Sequence, residues 1–238
     1  MRALVFATLC CFWGELAAAD SLTLLTEEYP PYNMSGKDGA VGVSTEIVRE
    51  LMKATGTEYS IAVYPWARAI ALARTQVNTC VFSMSRTAER EPLYKWVGPL
   101  VANEWTLFAK RPASRPESIE ATMHTRIGSY QGDAIVTWLQ TRGHTVEIAP
   151  NDEVNPRKLM LDRIDFWATG RLIGQFRLRQ QGLDQAIEPV LTFNRTDMYL
   201  ACQRGMPDET IARLNRELDA LVKRGVVRKI YSDHGYAP

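Results

Sequence analysis

The sequence predicts an α/β protein built as two similar halves, and three observations carry that expectation. Short apolar, β-prone runs alternate with helix-period runs of about 10 to 15 residues, the pattern of strand-helix-strand units on a parallel sheet. The alternation stops at Pro99 and starts again, so there are two such sets. Each set spans roughly 90 residues, enough for one small layered unit.

Taken in order, residues 22–26 form a short apolar strand that stops at Glu27-Glu28, and Tyr29-Pro30-Pro31-Tyr32 then excludes both helix and central strand. Three glycines between 35 and 42 mark a turn. Ser44 is placed to cap a helix whose face is Ile47, Val48, Leu51, Met52 and Ala54, and Gly56 to end it. Residues 59–64 read as a strand, Pro65 as the first turn of the helix WARAIALART, and 80–84 as the next strand. Beyond Pro99 come a strand at 105–109, a strand at 126–129 leading to a Gly132 turn, and a helix over 133–141. A strand at 145–148, a helix near 153–161, a strand at 164–169 and a helix at 171–181 complete the second set. Last come a strand at 198–202, a turn at Gly205-Met206-Pro207, and a helix with the stripe Ile211, Leu214, Leu218, Leu221 and Val222. Gly225 separates it from a short helix reaching Tyr231.

Residues 1–19 pair Arg2 with an apolar run and end in Ala17-Ala18-Ala19, the layout of a cleavable secretory signal. The run falls short of the ~20 apolar residues that cross a bilayer. Cleavage removes Arg2 and Glu15 together, so the net charge of +1 is unchanged. That near-neutrality gives no electrostatic basis for binding nucleic acid or an anionic membrane. Of the four cysteines, Cys80 and Cys202 remain; an oxidising compartment favours a disulfide between them, and two buried thiols are the alternative.

The stretch SMSRTAEREPLYKWVGPL, a strand end running into an arginine-rich turn, reads as an anion-binding corner at the mouth of a cleft. It is also one of the pieces that carry a family resemblance. With the strand before YPPYNM, the run GVSTEIVRELMKATG, RTAERE followed by an aromatic and a proline, and the late KRGVVRKIY, the chain resembles the family-3 bacterial extracellular solute-binding proteins. These are periplasmic receptors for polar amino acids that serve ATP-binding cassette importers, and the resemblance covers nearly all of the chain after the signal. It implies a two-lobed periplasmic-binding-protein fold with a ligand cleft and two hinge crossings, here near 100–103 and 194–199. The lobes would be 20–100 with 197–238, and 101–196. Cys80 and Cys202 would then share a lobe, which supports their pairing. A monomer is expected, which takes a small carboxylate ligand by hinge closure and hands it to a membrane permease, with no cofactor, no metal and no catalytic residue.

The resemblance makes Arg90 the grip on the ligand carboxylate, a role suited to a guanidinium that can give two parallel bonds. Taken alone, Arg90 could equally be a surface partner of Glu89 or Glu91. Ser83 and Ser85 would add polar groups at the strand end. Glu27 would face the ligand's amine or side chain, or else be a solvated loop charge. Tyr29 and Trp66 would form aromatic walls, and Arg68 is a second candidate for an anion. From the other lobe, Gly132, Asp133 and Ala134 stand at a helix start, where free N–H groups favour an anion unless Asp133 simply caps the helix. One position departs from the family: where amino-acid binders carry an aspartate for the α-ammonium, this chain has Gly170, followed by Arg171. That points to Glu27 as a substitute or to a carboxylate ligand without an α-amine, and Arg68, Arg86, Arg90 and Arg171 would suit more than one negative charge if all faced the cleft. Two other readings stay open: a ligand-sensing subunit of a membrane receptor or kinase, and a dehydratase-like enzyme using Glu27 or Asp133. His124, His144 and His234 read as surface residues.

Overall fold

The computed structural model describes residues 21–236, so the expected signal segment 1–19 lies outside the described residues. The first set comprises β1 (Leu22–Thr26), the small hairpin β2 (Met34–Gly36) and β3 (Gly39–Val41), α1 (Val43–Thr55), β4 (Tyr59–Val63), α2 (Trp66–Thr75) and β5 (Thr79–Ser85). A long strand, β6 (Tyr94–Lys110), leads to β7 (Ile127–Tyr130), α3 (Ala134–Gln140), β8 (Val146–Ala149), α4 (Asn155–Met160), β9 (Phe166–Gly170) and α5 (Arg171–Gln181). A second long strand, β10 (Ile187–Gln203), returns the chain to α6 (Asp208–Lys223) and α7 (Val226–Asp233).

Eight strands form one sheet in the order β4-β1-β5-β10-β6-β9-β7-β8. Its centre is the antiparallel pair β6 and β10, in register from Ile187 opposite Lys110 to Gln203 opposite Tyr94. Parallel strands β4, β1 and β5 flank one end of this pair and β9, β7 and β8 the other. The β5 pairing reaches Met198 and the β9 pairing begins at Trp105, so Ala102–Glu104 and their partners Arg195–Asp197 lie in a two-stranded ribbon with no third strand. Such a ribbon twists more freely than a wide sheet, and it forms the two crossings between the lobes.

Side chains alternate across the sheet as the strand period requires. In the first lobe Leu24, Phe82 and Leu200 face α1, α6 and α7, while Leu25, Val81 and Ala201 face α2. In the second, Leu107, Ile127 and Ala168 pack with α3, and Phe108, Trp167 and Ile164 with Leu159 of α4 and Leu178 of α5. Cys80 and Cys202 sit opposite each other on β5 and β10 and are joined by a disulfide buried from solvent.

Several local expectations shift. Helix α1 starts two residues early, with Gly42 as its cap (φ 116°); Ser44 lies inside the first turn, its hydroxyl buried without a partner. The first free N–H groups are taken by backbone carbonyls of the proline loop, Val43 N–H donating to Pro31 and Ser44 N–H to Tyr32, which leaves a capping side chain nothing to do. A Cβ on Gly42 would stand 2.6 Å from the Tyr32 carbonyl oxygen. The break read at Pro99 is instead a bulge inside β6: opposite β10 the register steps from Val101 to Val97, and Pro99, which has no N–H to pair, sits in the extra length. Ala54 and Val222 face solvent, at the edge of their stripes. His144 is buried in the second lobe, with Nδ1 unpartnered.

Candidate functional site

The C-terminal ends of β1, β5 and β7 converge at one point of the cleft, where ligands of open α/β sheets bind. Seven of the sequence candidates wall a single small cavity there: Glu27, Tyr29, Trp66, Ser83, Ser85, Arg90 and Asp133. Asn103, Tyr130 and Met198 complete it. The walls leave about 10 Å³ between them, the space of roughly one water.

Arg90 follows the β5 end through a short turn. Its Nη1 donates to the Ser85 carbonyl (3.2 Å), which fixes the turn, and its Nη2 reaches across the cleft to the Gly132 carbonyl (2.7 Å). Trp66 Nε1 donates to the same carbonyl at 2.9 Å, and the guanidinium lies 5.9 Å from the Trp66 ring. A carbonyl of the second lobe therefore takes two donors from the first. Gly132 has φ 82°, and a Cβ there would press on Trp66 and Ile70 at 3.1 and 3.2 Å. Burial pulls the Arg90 pKa down, opposed by nearby Asp133.

Two carboxyl groups face each other from opposite lobes. Glu27 accepts from the Tyr130 hydroxyl at 2.8 Å, a third bond across the cleft, and burial raises its pKa well above the usual carboxylate range. Asp133 caps α3, accepting from Ile135 N–H (3.2 Å) and the Ser129 hydroxyl (3.3 Å); burial pushes it up to about 7. Ser83 holds a left-handed backbone, φ 62°, inside β5. Against β10 the register steps from Met84 to Val81 while β10 moves only from Tyr199 to Ala201, so the extra residue of β5 makes a bulge there. The Ser83 hydroxyl bonds Asn33 Oδ1 (2.5 Å), and Asn33 Nδ2 bonds the Glu27 carbonyl (2.7 Å), tying the bulge to the end of β1. Strain of this kind concentrates at functional positions.

Gly170 is buried behind Asn103 and Tyr29 of the cavity wall. A Cβ at that position would stand 2.5 Å from both Asn103 Oδ1 and the Tyr29 hydroxyl, which are themselves bonded through Asn103 Nδ2 at 3.1 Å. The volume an aspartate side chain would need is filled by these two groups.

The remaining candidates are elsewhere. Ala134 is buried in the core of the second lobe. Arg68 is exposed, its guanidinium 4.2 Å over the Tyr64 ring. Arg86 pairs with Glu91 at 2.6 Å, and Arg171 lies 3.7 Å from Glu104. The four arginines thus do not gather; only Arg90 lines the cavity. Of the residues missed, Tyr130 stands just beyond the strand read at 126–129, before the Gly132 turn, and Asn103 lies in the segment read as a hinge. Met198 carries no signal that separates it from core.

Among the described residues no helix is long and apolar enough to cross a membrane, and no three or more His, Cys, Asp or Glu side chains cluster to hold a metal. A family model described as "Bacterial extracellular solute-binding proteins, family 3" matches residues 22–236. No curated protein matches the chain. Among solved structures, a histidine kinase sensor domain with similarity to periplasmic binding proteins superposes with a TM-score of 0.83 at 18% identity, covering 90% of this chain and 95% of the other. An ancestral arginine-binding protein bound to arginine gives 0.78 at 19%, covering 90% and 97%. The arginine-, lysine-, histidine-binding protein ArtJ from Geobacillus stearothermophilus gives 0.80 at 16%, covering 92% and 97%.

Proposed function

Because the chain belongs to the bacterial extracellular solute-binding proteins, family 3, we propose that it captures a small carboxylate-bearing ligand between its lobes and that Arg90 holds the carboxylate. The observation that carries this reading is the position of Arg90: a cleft-lining guanidinium with one N–H on its own lobe, one on the Gly132 carbonyl of the other, and no carboxylate in ion-pair contact among the described residues. A carboxylate that takes the place of the Gly132 carbonyl would accept from Arg90 and Trp66 together. Closure of the hinge ribbon around it would turn occupancy into shape.

The filled space at Gly170 supports a ligand without an α-amine. Glu27, pushed toward its neutral form by burial, is better placed to donate to an anion than to receive an ammonium. In this reading the protein works as a periplasmic monomer that delivers its ligand to the permease of an ATP-binding cassette importer. The structural likeness to a histidine kinase sensor domain favours one second reading, a sensory subunit that reports the same ligand to a membrane kinase.

The test is a thermal-shift screen of amino acids, keto acids and carboxylates, followed by calorimetry on Arg90→Ala. A saturating ligand at a hundred times its dissociation constant adds roughly 2.7 kcal/mol of stability. Keto acids and plain carboxylates should raise the transition more than their amino-acid counterparts, and Arg90→Ala should abolish the shift. Unchanged affinity in that variant removes the assignment.

A further inference from the structure

The cleft holds a second and much larger space beside the Arg90 cavity. It measures about 460 Å³ and shares Glu27, Trp66 and Tyr130 with the inner cavity as a common wall. Val63, Tyr64 and Pro65 carry the wall on from Trp66 along the first lobe, and Asn151, Asp152 and Arg177 close it from the second. A ligand gripped at Arg90 and longer than the inner cavity would reach this chamber once the Glu27–Tyr130 bond in the shared wall opens.

Arg177 is the unusual group there. It stands on α5, only 6% exposed, and its Nη2 donates to the Glu28 carbonyl at 2.8 Å. Its Nε is buried without any partner, and among the described residues it makes no ion pair. Buried charges are normally paired, and a buried donor without an acceptor is costly. The acids nearby give Arg177 counter-charge, Asp152 above all, but no hydrogen bond. The Asp152 carboxylate is occupied by Trp167 Nε1 (2.7 Å), the Thr169 hydroxyl (2.7 Å) and Asn155 Nδ2 (3.1 Å), and the Glu28 carboxylate is turned onto Ser35. Glu27 is engaged by Tyr130. Arg177 therefore lines a ligand-sized space with a guanidinium that is one hydrogen bond short, its Nε enclosed behind that lining.

We propose that this outer chamber is a second subsite of the cleft, in which Arg177 receives a carboxylate at the far end of a ligand whose first carboxylate is held by Arg90. The ligand class that follows is the elongated dicarboxylates. The inference rests on the Arg90 reading and adds to it a rule about the ligand's other end. The aromatic and proline wall suits the apolar chain joining the two carboxylates.

Calorimetric titration of the full chain with straight-chain dicarboxylates from succinate to pimelate, each against the monocarboxylate of equal length, tests it. One dicarboxylate length should bind about 10- to 100-fold tighter than its monocarboxylate, the range expected for hydrogen bonds to a charged group. Arg177→Gln should erase that advantage and leave monocarboxylate affinity within about threefold, with Arg177→Lys between the two because it keeps charge without the fork. Monocarboxylates that bind through Arg90 with no dicarboxylate advantage overturn the subsite and leave the Arg90 reading standing. Equal weakening of both series by Arg177→Gln also overturns it, making Arg177 a tie between α5 and Glu28. If no member of either series binds, both readings fall. The wild-type comparison of the two series decides the point even if an Arg177 variant does not fold.

Discussion

The two walls of the cleft are made of different material. The first lobe brings side chains: Glu27, Tyr29, Ser83, Ser85 and Arg90 at or just beyond strand ends tied by the Cys80–Cys202 bond and the Asn33 bridge between β1 and β5, and Trp66 at the start of α2. At the inner cavity the second brings mostly backbone and the absence of side chain: the Gly132 carbonyl, the self-capped start of α3 and Gly170, with Tyr130 as a large projection and Arg177 only at the outer chamber. Tyr130 joins the apolar cluster of the first lobe that contains Trp66 and Met84. In the proposed reading the side-chain-rich wall sets what is recognised, and the wall of carbonyls and glycines sets how closely the lobes can meet.

The difference can be broken from either side. The largest effect is expected from removing the covalent tie: Cys80→Ser with Cys202→Ser should cost about 4 kcal/mol, because the bond closes a loop of more than a hundred residues. Hydrogen exchange should then rise in β5 and β1 well before β7 and β8; a uniform loss of protection would show that the bond serves the whole fold. Next, Arg90→Ala should weaken carboxylate binding by about 100-fold, and it should lower the transition temperature without ligand as well, because the bonds to the Ser85 and Gly132 carbonyls go with it. On the other wall, Gly170→Ala should cost about 1–3 kcal/mol through its clash with Tyr29 and Asn103. The same change should be nearly free beside Tyr29→Phe and Asn103→Ala, and a double-mutant cycle on denaturant unfolding measures that coupling.

The remaining effect is a pH dependence carried by Asp133. Folded, it keeps its proton up to about pH 7; its ordinary value is 3.8, so between these the folded state binds the extra proton. Its contribution to stability is whole below about 3.8 and is lost as pH rises to about 7. Asp133→Asn keeps a capping side chain and should flatten that part of the thermal-unfolding profile. A wild-type profile that rises through this range in step with the variant's would take Asp133 out of the account.

Much of the first wall was legible in the sequence, because each of its residues stands beside a local landmark. Glu27 and Tyr29 follow a strand stopped by two prolines, Trp66 follows Pro65, and Arg90 follows a strand end in a turn of its own. The second wall offers few such marks. Tyr130 looks like any strand-end aromatic, and Asn103 and Arg177 look like ordinary polar residues until the lobes are set against each other. The arginines show the same limit: four would suit a ligand of more than one charge if all faced the cleft, but Arg68, Arg86 and Arg171 are drawn to a tyrosine ring and two glutamates on the surface.

By itself, the sequence determined the two α/β sets, most of their elements and the first-lobe wall, because apolar period, prolines and glycines act over a few residues. Only the tertiary structure decided that β6 and β10 run unbroken through both lobes, since a bulge absorbs Pro99 where local rules end a strand. It alone decided what Gly170 means: whether a side chain fits there depends on Tyr29 and Asn103, brought from distant parts of the chain into one volume. It likewise placed Arg177 buried and part-satisfied beside the larger space of the cleft, because pairing and burial are properties of packed neighbours that no single stretch of chain contains.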